Sequence, residues 1–355
     1  MLSEHARTLL TDNRLEDYLA RGFAQMTALF ETDEVGPMVL YGFHGFDPYD
    51  EQGVPHWGNG FDPEMIRPEV ALERDLEKAA WYIPQLVTEK WFVPICVERG
   101  FYGVHFVDKL LGGDVILKDG QFHTNYIQTE VGNLKRPNLD DHFSWVMLKR
   151  YAQAFVDSGV TVPILGVPCI ASPLNIALNL YGGEFLVAML DDPDAAKHDL
   201  EVITSIQLEM HQWYKDHIPA HQLQCVVSYG RTQPPGYGQI CGCSTQLVSP
   251  ALYEEFIMPY DEALLGVYGH GGMIHLCGSH EHLIPSFAKM KNLKSVQLND
   301  RAAEGLEAYV KGLRKDQVIY LNPCAGMPLE KGLEIACGRK LVIVDNVELE
   351  TARIR

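Results

Sequence analysis

From Val162 onward the chain alternates between short apolar runs and longer segments with helical spacing. The apolar runs are Val162 to Val167, Cys225 to Tyr229, Met273 to Cys277, Lys294 to Asn299, Val318 to Asn322 and Leu341 to Asp345. Each is short and read as a strand. The helical segments are Asn175 to Met189, Pro193 to His217, the stretch from Ser249-Pro250 toward Tyr268, His282 to Lys291, Ala302 to Lys315 and Leu329 to Cys337. Ser249 followed by Pro250 is a helix start: the serine caps, and proline suits the first turn, where no N–H is needed. Strand then helix, repeated about six times with continuously apolar strands, predicts a parallel sheet covered by helices. Repeat count and chain length favour a (β/α)8 TIM barrel over a doubly wound sheet. No Gly-x-Gly-x-x-Gly follows any strand, as a dinucleotide fold would require.

The first 160 residues are less regular. Leu9 to Phe30 and Glu69 to Leu86 have helical spacing. Between them lies an aromatic, glycine-containing stretch from Tyr41 to Trp57, expected to line the barrel mouth. Residues 1–90 are therefore read as an N-terminal helical and loop extension with the first barrel elements. Residues 91–355 supply the remainder of the barrel, in a single domain overall.

Composition narrows the function. The chain has 355 residues, 46% of them hydrophobic, enough for a large core. Its formal net charge is −18, and no basic stripe is visible, which argues against nucleic acid as a partner. No apolar run is long enough to span a bilayer, and the polar start Met1-Leu2-Ser3-Glu4-His5 does not read as a signal peptide. A cytoplasmic location without membrane contact is the expectation. Eight cysteines without small-domain spacing suggest reduced thiols. Cys96, Cys169 and Cys225 sit in apolar runs and read as core residues.

The run Met273-Ile274-His275-Leu276-Cys277-Gly278 carries the sharpest chemical signal. Residues i and i+2 of a strand point the same way, so His275 and Cys277 emerge side by side. An imidazole and a thiolate are the donors of N/S zinc sites. Alone, either would read as a core residue. Reactive side chains recur at other strand ends, where barrels of this kind place their active sites. They are Asp108 (after Val104 to Val107, read as a strand), Cys241, Cys243, Asn299, Asp300, Asn322, Cys324 and Asp345. Cys241-x-Cys243 follows Pro234-Pro235-Gly236 and is a weaker zinc signal than Cys-x-x-Cys. Cys324 follows Pro323 in a loop, where a core role is less natural. His280 and His282 fall in the first turn of the next helix, a place that favours solvent exposure. Asp108 reads as a pocket carboxylate or as the partner of a neighbour such as Arg99 or Lys109.

Several stretches together resemble the uroporphyrinogen decarboxylase superfamily. They are Phe106-Val107-Asp108-Lys109-Leu110 with Gly112-Gly113-Asp114-Val115, and Gly166-Val167-Pro168 with Leu180-Tyr181-Gly182-Gly183-Glu184. Leu247-Val248-Ser249-Pro250-Ala251-Leu252-Tyr253-Glu254-Glu255-Phe256-Ile257-Met258-Pro259-Tyr260 is the most specific match. Leu321-Asn322-Pro323 sits where the family often shows "GN-x-x-P". His275-Leu276-Cys277-Gly278 resembles the "H-x-C-G" of the branch that contains zinc- and corrinoid-dependent methyltransferases.

The decarboxylase branch is the poorer match. Its N-terminal arginine-rich motif is not reproduced by Arg14 and Arg21, its pocket serine falls on or near Cys243, and its C-terminal histidine has no counterpart in Asp345-Asn346-Val347-Glu348. The methyltransferase resemblance implies zinc on His275, Cys277 and a third ligand. That branch carries the third ligand as a cysteine near Asn346, which this chain lacks; Cys324 is the leading replacement, with Cys243 or Glu348 as alternatives. It further implies a methyl group moved between a corrinoid, carried by a partner protein, and a thiol acceptor activated by the metal. Asp108 and His280 are assigned to the thiol proton or to substrate positioning, and Cys243, Asn322 and Tyr229 to substrate binding. A homodimer is expected by analogy. The competing expectations are a decarboxylase-like lyase acting on a small carboxylated substrate and a non-catalytic ligand-binding barrel.

Overall fold

The computed structural model describes residues 2–44, 67–86, 92, 94–97, 102–119, 121–160, 162, 164–166, 171–224 and 229–348. Its strands, in chain order, are β1 (Gly36–His44), β2 (Cys96–Val97), β3 (Asp114–Lys118), β4 (Gln121–Asn125), β5 (Ile164–Gly166), β6 (Leu223–Gln224), β7 (Gly238–Cys241), β8 (Gly272–Cys277), β9 (Leu293–Asn299), β10 (Val318–Leu321) and β11 (Lys340–Glu348). Six of them form one parallel sheet in the order β1-β11-β10-β9-β8-β7. β2, β5 and β6 form a second parallel sheet, and β3 and β4 an antiparallel hairpin. Single parallel bridges, Leu40 to Phe92 and Ala171 to Cys241, join each edge strand of the large sheet to chain flanking the small one.

The predicted parallel sheet is present, and its best-read strands are those most deeply buried. β8, β9 and β10 are almost wholly enclosed. Strands covered by helices on one face and packed on the other need apolar residues at both parities, which is why these runs read as continuous. The helix Asn13–Glu31 buries Leu15, Leu19, Phe23, Met26 and Phe30, a helical stripe started by Asp12, whose side chain accepts from the Arg14 N–H. Phe30 meets the rings of Tyr237 and Tyr320 edge-on, with centroids 4.8 and 6.3 Å away. Enclosing such a side chain stabilises by roughly 2–3 kcal/mol.

Several elements differ from the sequence reading. Val104 to Val107 is not a strand: Gly103–His105 is a 3-10 turn and Phe106–Leu110 a short helix. Tyr102 enters it in the left-handed region (φ 61), so the apolar run turns at once instead of extending. The segment from Asn175 to Met189 is two helices, Pro173–Tyr181 and Glu184–Asp191, bent by 112° at Gly182-Gly183. The helix after Ser249 contains a π turn over Tyr253–Ile257, flanked by α-helical Pro250–Leu252 and Met258–Gly266. The segment from Ala302 to Lys315 is likewise two helices, Arg301–Glu304 and Leu306–Gly312. Cys225 to Ser228 and the part of the aromatic stretch from residue 45 to 57 lie outside the described residues, as do Cys169 and Arg99. Cys96 is buried. Among the described residues no single helix is long and apolar enough to cross a membrane.

The amino-terminal ends of the strands are held by cations. Lys340 donates to the carbonyls of Phe30 and Thr32, capping the C-terminus of the Asn13–Glu31 helix. Arg314 donates to Ala288, Met290 and Leu293 carbonyls at 2.7 to 3.1 Å. Arg339 reaches those of Leu313, Arg314 and Gln317 at 2.8 to 3.4 Å. The carboxy-terminal ends carry a different kind of chemistry.

Candidate metal centre

Cys241 ends β7, and Cys277 ends the neighbouring β8. The register sets Cys241 opposite His275. Alternation along each strand then turns Cys241, His275 and Cys277 to the same side. Cys243 joins them because the chain past β7 continues only one residue before a 3-10 turn. Gly242, between the two cysteines, faces Ile274: a Cβ there would lie 2.6 Å from the Ile274 Cδ1. A side chain between the thiols would press on Ile274, and Cys-Gly-Cys avoids that contact. Gly242 N–H donates to the His275 carbonyl at 2.9 Å, and the Ser244 N–H to Asn175 Oδ1 at 3.1 Å.

The resulting distances suit a metal. Cys241 Sγ and Cys243 Sγ are 3.5 Å apart, and a ligand atom from each of Cys241, Cys243 and His275 lies within 4.8 Å of the others. His275 Nε2 is 3.0 Å from Cys277 Sγ. Zinc with bonds of about 2.3 Å to sulfur and about 2.0 Å to nitrogen separates two tetrahedral sulfurs by roughly 3.8 Å and sulfur from nitrogen by roughly 3.6 Å. The Cys241–Cys243 and His275–Cys277 contacts lie within an ångström of those separations. No structural disulfide competes, for these cysteines are free thiols.

Neighbouring groups fix the imidazole. His275 is buried, and its Nδ1 donates to Gln297 Oε1. Gln297 Nε2 in turn donates to Asn322 Oδ1 at 2.8 Å. An amide oxygen can only accept, so the proton sits on Nδ1 and the Nε2 lone pair faces the thiols. That lone pair accepts from Arg231 Nη2 at 3.1 Å.

The thiols share their protons unequally. The hydrogen bond from Cys243 pulls the Cys241 thiol down to about 6 against the opposing effect of burial, with Arg231 helping. Cys243 also lowers Cys277 against the opposing effect of burial, aided by Asn299. Cys243 itself, set against both, is pushed well up. Cys243 thus keeps its proton most tightly of the three. A divalent cation replaces that proton more effectively, because it neutralises all three sulfurs at once. Three thiolates and one divalent ion leave a net charge of about −1, which the adjacent Arg231 offsets.

The other expected residues fall in several places. Asp108 is fully buried on the short helix, where its Oδ2 collects His105 Nδ1 and Thr124 Oγ1 at 2.7 Å and Asn179 Nδ2 at 2.9 Å. Among the described residues its charged partner is His105 rather than Lys109. Asn179 stands one helical turn beyond Asn175, so the two polar groups border one helix, about 6 Å apart along its axis. His280 is buried, not exposed: Nδ1 is 3.2 Å from the Gly278 carbonyl and Nε2 3.3 Å from that of Gly242. His282 is exposed, with Nε2 near the Val248 carbonyl. Cys324 lies outside the group of close donors; its Sγ faces the Asp300 carbonyl at 3.9 Å. Asn322 meets Gln297 rather than the thiols directly. The side chains of Tyr229, Asp345 and Glu348 lie outside what the structure describes. Gln297 and Arg231 are not among the expected residues, while Cys241 enters them only through the weaker Cys-x-Cys signal. Gln297 had a signal: a glutamine inside an otherwise apolar strand needs a buried partner. Asp300, just past β9, has φ 48, a backbone conformation seldom adopted without a local reason.

The same fold occurs in a methyltransferase. A solved structure of a "methyltransferase from Methanosarcina mazei" superposes with a TM-score of 0.60 at 14% identity, covering 91% of this chain and 92% of that one. No protein-family model and no curated protein matches the sequence. At that identity the likeness concerns the architecture. What the present residues add is a Cys2His group able to hold a metal ion at the carboxy-terminal ends of parallel strands.

Proposed function

We propose that the chain is a zinc-dependent methyltransferase of the uroporphyrinogen decarboxylase-like superfamily, built on a (β/α)8 barrel. Cys241, Cys243 and His275 would hold the metal, with Cys277 beside the imidazole. The observation that carries this reading is the convergence of three thiols and one oriented imidazole at the carboxy-terminal ends of β7 and β8. The two edge bridges between the sheets and the shared fold of a methyltransferase support the barrel and the reaction class. The resemblance in sequence supplies the finer terms: a thiol as acceptor and a methyl group borne by a corrinoid on a partner protein.

A bound zinc ion supplies a Lewis acid that lets a coordinated thiol lose its proton near neutral pH. The protein does the rest. Gln297 and Asn322 hold the His275 ring so that Nε2 faces the thiols. Arg231 balances the anionic sulfurs. Ile274 and Leu276, on the opposite face of β8, are fully buried and keep the strand from shifting.

Elemental analysis of the purified chain tests the reading. About one zinc per chain is expected, lost in Cys243→Ser, together with thiol-dependent loss of the methylcobalamin absorbance. Metal-free protein that leaves methylcobalamin unchanged would return the balance to a lyase or a non-catalytic barrel.

A further inference from the structure

The two cysteines that flank Gly242 do more than offer metal donors. Their sulfurs are free thiols 3.5 Å apart, already in contact. We propose that Cys241 and Cys243 form a redox-active dithiol: hydrogen peroxide closes them to a disulfide, and the closed pair no longer holds a metal. The loss of metal rests on the reading above; the disulfide does not.

The backbone favours this pair. A disulfide needs Cα atoms within about 6.8 Å of each other. Two residues along a straight strand are about 6.7 Å apart, at the edge of that range. Gly242, at φ −103 and ψ 24, is not extended, so the chain brings Cys243 back toward Cys241. Its N–H donates to the His275 carbonyl at 2.9 Å and fixes that bend against β8. Cys277 stands two residues beyond His275, the residue opposite Cys241. With strands about 4.8 Å apart, that diagonal is about 8 Å, too long for a bridge from Cys241. Cys324 is turned to the Asp300 carbonyl. Access separates the two partners. Cys243 is half-buried and Cys241 buried, so a small oxidant meets Cys243 first and Cys241 stands behind it as the second sulfur.

The step balances. The Cys243 thiolate attacks one peroxide oxygen; an S–O bond forms, the O–O bond breaks and hydroxide leaves. Cys243 is then a sulfenic acid. The Cys241 thiolate attacks its sulfur; the S–S bond forms, the S–O bond breaks and a second hydroxide leaves. The two sulfurs lose two electrons, and peroxide gains them. A metal binds thiolates, so a disulfide removes two of the three close donors and leaves His275. Free thiols reopen such a bond by exchange. A thiol acceptor therefore also resets the site.

Peptide mass mapping of the full chain, treated with hydrogen peroxide, tests this. Cleavage after glutamate leaves Cys241 and Cys243 on one peptide and Cys277 on another, since Glu254, Glu255 and Glu262 lie between them. The first peptide is expected to lose two hydrogens, placed by its fragments on Cys241 and Cys243, and to regain them with dithiothreitol. About one zinc ion per disulfide should reach solution, read with a chromogenic chelator. Cys277→Ser is expected to form the same link, and Cys243→Ser to form none. A link to the Cys277 peptide overturns the proposal. So does a pair that stays reduced, or goes on to sulfinic acid, at a dose that oxidises the exposed Cys337. Zinc that stays on the closed pair overturns it as well. The wild-type map stands even if a variant fails to fold. A disulfide formed in protein that never held zinc upholds the dithiol and overturns the metal reading instead.

Discussion

The two ends of the parallel strands solve opposite problems. At the amino-terminal end, three cations meet backbone carbonyls: Arg314, Arg339 and Lys340. Their charge is spread mainly over neutral carbonyls at helix and strand termini, with the Asp316 carboxylate also against Arg314. At the carboxy-terminal end, three sulfurs crowd one another with only Arg231 and an imidazole nearby. The first arrangement finds its acceptors within the protein, with only the buried Arg339 Nε of these three cations' hydrogen-bonding groups known to lack one. The second gains by adding a cation. The lesson is that unmet valence, more than the mere presence of polar residues, separates a working end from a structural one.

The largest effect should come from breaking the amino-terminal end. Arg339 is buried and spans three carbonyls. Arg339→Ala strands those acceptors and opens a hole, so denaturant unfolding should show a loss of about 3 kcal/mol or more. Zinc content of the protein that remains folded should be unchanged. A parallel fall in zinc would mean that the two ends are not separable.

Gln297→Leu probes the other end with a smaller effect. It keeps the strand apolar but frees the His275 ring and leaves Asn322 without its donor. Groups that orient a metal-binding histidine typically contribute 10–100-fold in affinity, so competition with a chelator should show a weakening of about that size. Affinity equal to wild type would show that the Gln297 contact does not set the tautomer.

How much of this was legible in the chain depends on how far apart the partners are. His275 and Cys277 are two residues apart on one strand, so alternation alone pairs them. Cys241 reaches His275 only through strand register, which no local pattern encodes. Cys324 was a reasonable third ligand by its place at a strand end, yet its loop bonds to itself through Met327 and leaves the sulfur by Asp300. The apolar run before Asp108 looked extended because β-branched and aromatic residues favour strands; the turn at Tyr102 and Gly103 overrides that preference. His280 sits near a helix start, where exposure is usual, but the carbonyls of Gly242 and Gly278 draw it inward. The parallel sheet was readable because both faces of its strands are buried.

The smallest effect sharpens the comparison through a charge next to the working end. Asp261 is fully buried, and its partners are Ser172 Oγ at 2.8 Å and Tyr253 Oη at 3.0 Å. Ser172 is the residue whose N–H holds the Cys241 carbonyl. Burial pushes the Asp261 carboxyl up to about 7, although both hydroxyls pull it down. The folded state therefore holds this proton more tightly than the unfolded chain, where an aspartate titrates near 3.9. Stability from this group is full below about pH 4 and is lost as pH rises through about 7. Asp261→Asn removes the titration and keeps a group of the same shape. It should match the wild type near pH 4 and exceed it by on the order of 1 kcal/mol above pH 7, once the weaker hydrogen bonds of a neutral amide are counted. A wild-type stability that rises over that interval relative to Asp261→Asn would mean that the carboxylate has a cationic partner in solution, and that the anionic surplus beside the thiols is smaller than the geometry implies.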